Sequence, residues 1–361
     1  MRGRPNLYTS YEAETQLFPT TTKKVLLGVG LLVLVLMPFD LWVVDQIPMV
    51  RFLGDSIWLR LVNKMLIFII GALGLHLLSG LAGQLSLGHS FFGGVGACTA
   101  VLVGGKASTN LWGWGMPMWV WLPAAGVVAA LIGVAIAPTA VRVRGLYLGI
   151  VTLGLVFIGL HLSRVFPEIA GPGDLGRKWP RLELRFWKEE DPFLDFSRDG
   201  HWFWFDVSKH QKTYFFLLLL VILMAWWAVN LGRTRTGRAL AAIRDRDIAA
   251  EIMGVPEFRY KTTAFALSSF YAGISGALFA SFVGQVPPEQ WSLRASVTFL
   301  AALLIGGMGR VSGVFMGSFF VVMSHRFVEE IVDWAKHQAE GEGLFSSVFD
   351  FFISRGSGAG G

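Results

Sequence analysis

A chain that alternates apolar runs of membrane-spanning length with short charged connectors has few ways to bury its surface. That alternation dominates this sequence. Crossing the hydrocarbon core as a helix takes about 20 apolar residues. The candidates are Val25–Val44, Met65–Gly83, Ser90–Gly104, Met118–Ala137, Leu146–Ser163, Thr213–Leu231, Thr262–Val283, Ser296–Met308 and Val311–Met323. The third, eighth and ninth are short, so tilt, a break or flanking residues must complete them. The expected fold is an all-α, polytopic helical membrane protein with eight or nine transmembrane helices. Composition agrees: 53% of the 361 residues are hydrophobic and 16% are charged, against about a quarter charged in a soluble domain. The 43 glycines and 14 tryptophans fit membrane helices and their interfaces.

The net charge of +6 does not point to nucleic acid, because the basic residues gather in short loops between apolar runs, where they set topology. Gly232–Lys261 carries seven basic residues against four acidic ones. Placing it in the cytoplasm also puts Lys23, Lys24, Arg142 and Arg144 there under one alternating topology. The N-terminus is then cytoplasmic. The expected organisation is a cytoplasmic segment over 1–24, a transmembrane domain over 25–323, and a polar segment with a flexible tail over 324–361. The domain includes an outer loop over 164–212 and a cytoplasmic segment over 232–261. No cleavable signal is expected, since mostly polar residues precede the first apolar run. The outer loop balances nine basic against nine acidic residues and holds Gly171-Pro172-Gly173, the run Glu189–Asp191 and the cluster Trp202, Phe203, Trp204, Phe205. That cluster can serve as an interfacial belt. Beyond Met323, His325–Glu342 reads as polar and Leu344–Ile353 as too short to span.

Several chemistries lack their residues. A phosphate loop is missing: Gly105-Lys106 is followed by Ala107, and Ala100 stands where the first glycine belongs. The seven histidines are scattered, no metal-ligand spacing occurs, and one cysteine, Cys98, excludes an intramolecular disulfide. ATP hydrolysis by this chain, metal catalysis and a membrane-embedded enzyme are therefore not expected. A secondary transporter would need intramembrane carboxylates, and the spans are poor in them; Asp40 sits near the edge of its span. His76 and His161 read as packed or interfacial. Arg60 and Lys64 are expected to snorkel outward, and Gly145/Gly149 and Gly313/Gly317 to mark close helix packing.

Two segments stand out. Gly80–Gly96 places Gln84, Ser86, His89 and Ser90 among six glycines between two apolar runs. Unsatisfied polar groups in lipid cost several kcal/mol each, so irregular backbone at depth must line a cavity or be buried in protein. The segment is either a broken helix beside a solute path or a tight turn with glycines for close packing. Arg233–Gly254 reads as two short helices. Gly237 opens the first, with Leu240 and Ile243 on one side; Asp245 or Asp247 caps the second; Gly254 and Pro256 end it. So short an amphipathic pair needs a cover for its apolar side: lipid, the protein's own loops, or a partner's groove.

In combination these segments resemble a known family. Gly80–Gly96, Arg144–Leu153, Thr236–Asp245 with Ala249, Ala250, Glu251 and Gly254, and Ala301–Gly317 with Gly306-Gly307-Met308-Gly309 are similar to the branched-chain amino acid permease family of ABC importers. Within it, the likeness is to the longer of two paired permease subunits, and it runs from about Met65 to Met323. The resemblance implies a multi-pass protein of a bacterial inner membrane, working with a second homologous permease, two cytoplasmic ATPase subunits and an extracytoplasmic solute-binding protein. ATP would bind at the partner subunits, with no cofactor on this chain. It assigns Gly83, Gln84, Ser86, Gly88 and His89 to the neighbourhood of the translocation path. It assigns Gly237, Arg238, Ala239, Arg244, Asp245, Asp247, Ala249, Ala250 and Gly254 to coupling with the ATPase. The family carries branched-chain and other amino acids, and also urea and short amides. No single span here shows a charged pair to hold an amino acid, which leaves a neutral solute open.

Overall fold

The computed structural model describes residues 21–36, 38, 56–108, 111–143, 145–170, 177–185, 194–196, 198–202 and 205–339. Each expected span contributes a helix: α1 (Thr21–Leu36), α2 (Ser56–Leu75), α3 (His89–Gly104), α4 (Met118–Arg142), α5 (Leu146–Val165), α7 (Lys209–Arg233), α10 (Glu257–Val283), α11 (Leu293–Gly306) and α12 (Val311–Ala339). One-turn α6 (Pro167–Ala170) and the pair α8 (Arg235–Asp245) and α9 (Asp247–Ile252) lie in connections. Six segments are long and apolar enough to cross a membrane: Ile57–Leu81, Met118–Thr139, Tyr147–Val165, Lys209–Arg233, Glu257–Val283 and Val311–Val332. The apolar helices α3 and α11 are shorter. The protein is an all-α polytopic membrane protein. Asp40, Glu189–Asp191, Leu344–Ile353, Gly171-Pro172-Gly173 and most of the first span beyond Leu36 lie outside the described residues.

Three boundaries differ from expectation, each for a local reason. Helix α2 begins nine residues before Met65, because Arg60, Asn63 and Lys64 lower hydropathy without breaking the helix. Asn63 is fully buried and its amide donates to the His210 carbonyl at 2.9 Å. Helix α12 runs on past Met323 to Ala339, with Arg326 placed 3.3 Å from Glu329 and 3.5 Å from Glu330, one helical turn on. The outer connection, read only as a loop, carries short strands. These are β3 (Arg177–Lys178), β4 (Glu183–Leu184), β5 (Leu194–Asp195), β6 (Gly200–Trp202) and β7 (Phe205–Val207); β4 pairs with β5 and β6 with β7. Strand β3 pairs with β8 (Gln285–Val286), which ties this connection to the end of α10. Strands β1 (Lys106–Ser108) and β2 (Leu111–Trp114) form a hairpin between α3 and α4.

Helix α10 is the axis of the bundle and packs against α4, α3 and α2. Small residues allow the approach: a methyl added at Gly96 would run into the backbone of Gly273, and one at Gly276 into Gly93. Gly273 lies against Ala125 and Ala129 of α4 in turn. With lipid as apolar as the side chains, such backbone contact is what membrane helices gain by association. Gly313 and Gly317 pack as expected, seating α12 on Gly306 and Ala302 of α11. Gly145/Gly149 do not: Gly145 precedes α5 with φ +61° and open space around it, and the nearest atoms to a methyl at Gly149 are the Leu85 and Leu87 side chains at ordinary contact distance.

Candidate functional site: a broken helix, its cavities and a helix pair

Helix α2 passes into a π-helical turn, His76–Leu81, and the chain then runs irregularly until His89 opens α3. His89 Nε2 lies 2.7 Å from the carbonyl of Gly71. It therefore starts α3 level with a residue ten positions short of Leu81, roughly 15 Å inside the end of that helix. Helix α3 is short because the chain re-enters the bundle before turning helical. Of the two readings of Gly80–Gly96, the geometry is that of a broken helix, with glycines packing on its helical half.

The re-entering backbone is held by specific partners. Ser79 Oγ donates to the Gln84 carbonyl at 2.9 Å, and the Leu87 amide donates to Thr152 Oγ1 at 3.0 Å. Gly88 has no room for a side chain against Thr152. Ser86 is fully buried and its hydroxyl accepts from the Gly88 amide at 3.3 Å, so it fixes the turn. Gly83 has φ +68°, the left-handed region that favours glycine.

Beyond the turn, the polar side chains divide between two cavities. His89 and Ser90 line a chamber of about 580 Å³ between α2, α3, α10 and α11. Its walls include Phe68 and Phe299, stacked with centroids 4.3 Å apart, and it also holds Lys64, Ser275, Glu289 and Arg294. Ser90 Oγ sits 2.6 Å from Ser296 Oγ and donates to the Ser292 carbonyl at 3.0 Å. His89 Nδ1 has no partner among the described residues. Cation and carboxylate thus reach one chamber from different elements, a pairing that no single span carries. Lys64 accordingly lines a cavity, whereas Arg60 is exposed as expected. The second cavity, about 230 Å³, lies at the α8–α9 end and holds Gly83, Gln84, Arg244, Asp245, Arg246, Asp247 and Lys261. Gln84 is buried there with both amide atoms unpartnered among the described residues.

Helix α8 starts two residues before Gly237, where Thr234 Oγ1 accepts from the Gly237 amide at 3.3 Å. Gly237 is needed because the turn presses it against Leu231 and Gly232. Neither Asp245 nor Asp247 caps α9; Arg246 holds that position without a side-chain bond, and Asp247 accepts from the next amide at 2.8 Å. Gly254 ends the pair with φ +83°, as expected. The apolar side of α8 is covered by the protein itself: Ala239, Leu240 and Ile243 are buried, Leu240 in a cluster with Leu78, Ala137, Leu148 and Phe265. Ala250 of α9 is buried as well, whereas Arg238 and Ala249 are exposed. What remains uncovered is on α9 and just after it: Ile248, Ile252 and Met253 are 63, 81 and 83% exposed. Sequence reasoning missed these three, although the Ile248/Ile252 spacing of one helical turn was there to be read.

Arg244 joins the two halves of the site. Its Nη1 donates to the Gly80 carbonyl at 2.8 Å, its Nε bonds Asp245 at 3.1 Å, and its stem lies on Gly83. Among the described residues no group of three or more His, Cys, Asp or Glu could hold a metal ion.

A family model described as the branched-chain amino acid transport system / permease component matches residues 57–353. The high-affinity branched-chain amino acid transport system permease protein LivM of Escherichia coli (strain K12) is 32% identical over 279 residues, covering 75% of this chain and 63% of that protein. LivM of Salmonella typhimurium (strain LT2) is 33% identical over the same shares. The autoinducer 2 import system permease protein LsrC of Enterobacter sp. (strain 638) is 34% identical over 102 residues, 27% of this chain and 29% of that protein. The match to each LivM thus spans less than two thirds of its length. No solved structure matches. With a family model covering most of the chain, the chain belongs to the branched-chain amino acid transport system permease family.

Proposed function

We propose that this chain is the transmembrane permease subunit of an ABC importer for a small zwitterionic solute of the amino acid class. It works beside a second permease, two cytoplasmic ATPase subunits and a solute-binding protein. The observation that carries the reading is the exposed apolar face Ile248, Ile252 and Met253 on a helix pair tied through Arg244 to the broken segment. An apolar face this exposed beside basic and acidic neighbours suits a protein groove. The end bearing α8–α9 is then cytoplasmic, as is the N-terminus, by the distribution of basic residues. The names of the LivM relatives support branched-chain amino acids. The chamber supports the same class, since Lys64, Arg294 and Glu289, the last also 3.3 Å from Arg164, bring opposite charges beside apolar Ile67 and Phe299.

In this mechanism the chain breaks no covalent bond. Nucleotide binding at the ATPases favours one arrangement of α8–α9 over the other, and that difference in affinity is the only source of coupling. Arg244 transmits the displacement to the Gly80 carbonyl and the turn at Gly83. Gln84 then lines the cytoplasmic exit, and His89 and Ser90 the chamber above it.

The test is affinity purification of the tagged full-length chain in mild detergent, comparing the unaltered protein with the double variant Ile252→Asp, Met253→Asp. The unaltered protein is expected to bring down a second permease and an ATPase. The variant should keep the permease and lose the ATPase by at least about tenfold, the scale of interface hot spots. Recovery of the ATPase in equal amounts with both forms would exclude α9 as the docking element. Solute movement by the chain alone without ATP would overturn the importer reading.

A further inference from the structure

Two cations line the solute chamber without a counterion. Lys64, on α2, and Arg294, in the first turn of α11, make neither an ion pair nor a hydrogen bond among the described residues. Lys64 is the deeper of the two charged residues on α2, roughly 12 Å inside the start of that helix at Ser56. Arg60 stands one turn above it and is exposed, whereas Lys64 is half-buried. Like charges at this spacing repel, so the stability of the helix does not account for them. An unpaired charge within a membrane span is costly and by default marks a solute or ion path.

The carboxylate of the chamber is already engaged. Glu289 Oε1 lies 3.3 Å from Nη2 of Arg164, an exposed residue of α5 that is not part of the lining. The interior is therefore left with an excess of positive charge. Apolar walls, among them Ile67, Phe68, Phe279 and Phe299, let that field act across the space. A lipid phosphate does not supply the missing anion. Lys64 faces a space between α2, α3, α10 and α11, and a headgroup at the rim of the bundle meets exposed Arg60 first.

We propose that Lys64 is the specificity-determining residue of the chamber, its ammonium receiving the carboxylate of the solute. Arg294 is the second cation of this subsite, and the apolar part of the solute lies on the stacked rings of Phe68 and Phe299. The chamber thus selects for carboxylates and against neutral solutes such as urea and short amides. The amino group contributes less, because Glu289 is held by Arg164. The assignment rests on the importer reading for its solute class, and its test reads the chamber directly, without ATP.

The full-length chain, with the subunits that accompany it, is prepared in mild detergent as Cys98→Ala, Ala295→Cys. The new cysteine reports from the α11 wall of the chamber. Its modification by N-ethylmaleimide is followed by peptide mass. Leucine at about ten times its dissociation constant should slow that modification about tenfold. 4-Methylpentanoate, which keeps the carboxylate and lacks the amine, should protect as well. Leucinamide, which keeps the amine and lacks the carboxylate, should not. Lys64→Met deletes the charge at similar length and should weaken leucine at least about tenfold, the scale of a hydrogen bond to a charged group. Lys64→Arg should keep most of the protection. Protection by leucinamide equal to that by leucine, protection that survives Lys64→Met, or none by any of the three compounds would overturn the subsite. Equal losses in Lys64→Met and Lys64→Arg with a matching fall in melting temperature would do so too, since that pattern is structural. The importer reading fails separately: leucine that protects the cysteine but is not taken up with ATP would sink that reading and leave the subsite standing.

Discussion

Two glycine-rich stretches lie side by side in this chain and do opposite things. Gly93 and Gly96, on α3, press backbone to backbone against Gly276 and Gly273 of α10. The run from Gly80 to Gly88, just before them, leaves the helix, buries Gln84 with its side-chain amide unpartnered among the described residues, and receives Arg244 from another part of the chain. The first stretch uses its glycines for close approach. The second uses them to route an irregular backbone through the bundle. Glycine content alone does not separate packing from chemistry. What separates them is whether the neighbours of the absent Cβ are another helix's backbone or a polar side chain that can move.

The sharpest way to break this distinction is Gly96→Val. Its side chain would occupy the space of the Gly273 backbone, which has no rotamer by which to yield. The expected loss is about 3 kcal/mol or more, at the upper end for overpacking. It is read as a fall in melting temperature and in monodisperse yield in detergent. A variant as stable as the parent would mean that α3 and α10 are not in backbone contact.

Gly83→Ala probes the other stretch and should act differently. Alanine is strained at φ +68°, by about 1–2 kcal/mol, and its methyl would meet Cγ of Arg244 and lie 3.1 Å from its Cβ. Arg244 would then be displaced from the Gly80 carbonyl. The expected outcome is a folded protein with modestly lowered stability whose ATP-driven uptake in vesicles falls by at least about tenfold, more than a stability loss of that size explains. Uptake that merely tracks stability would show that the Arg244 contact is structural and does not couple.

How far these features could be read in advance depends on whether the relevant neighbours are close in sequence. The helices were legible, because hydrophobic runs of spanning length report themselves locally. So was the break, since a polar, glycine-rich interruption is also local. The start of α2 was not, because Asn63 and Lys64 look like a loop until His210 and the chamber supply their surroundings. Ser90 meets Ser292 and Ser296 across some two hundred residues, and nothing in a single sequence pairs them. The cover over α8 stayed open in the sequence for a related reason. Leu240 and Ile243 need a cover, but whether lipid, partner or the chain itself supplies it depends on where α10 and the end of α2 lie.

The smallest effect concerns a glycine of a third kind. Gly154 lies within α5 with open space where its Cβ would stand. It serves neither close approach nor an unusual backbone conformation. Alanine there restricts the unfolded chain and adds helical preference, so Gly154→Ala should leave uptake unchanged and raise stability by about 0.5–1 kcal/mol. A melting shift upward in detergent would place α5 at Gly154 against lipid or empty space. A loss instead would mean that another chain packs on this face in the assembled complex, because a methyl could harm only a contact made there. That result would turn the open glycine into a marker for a packing partner and place it in the same class as Gly96.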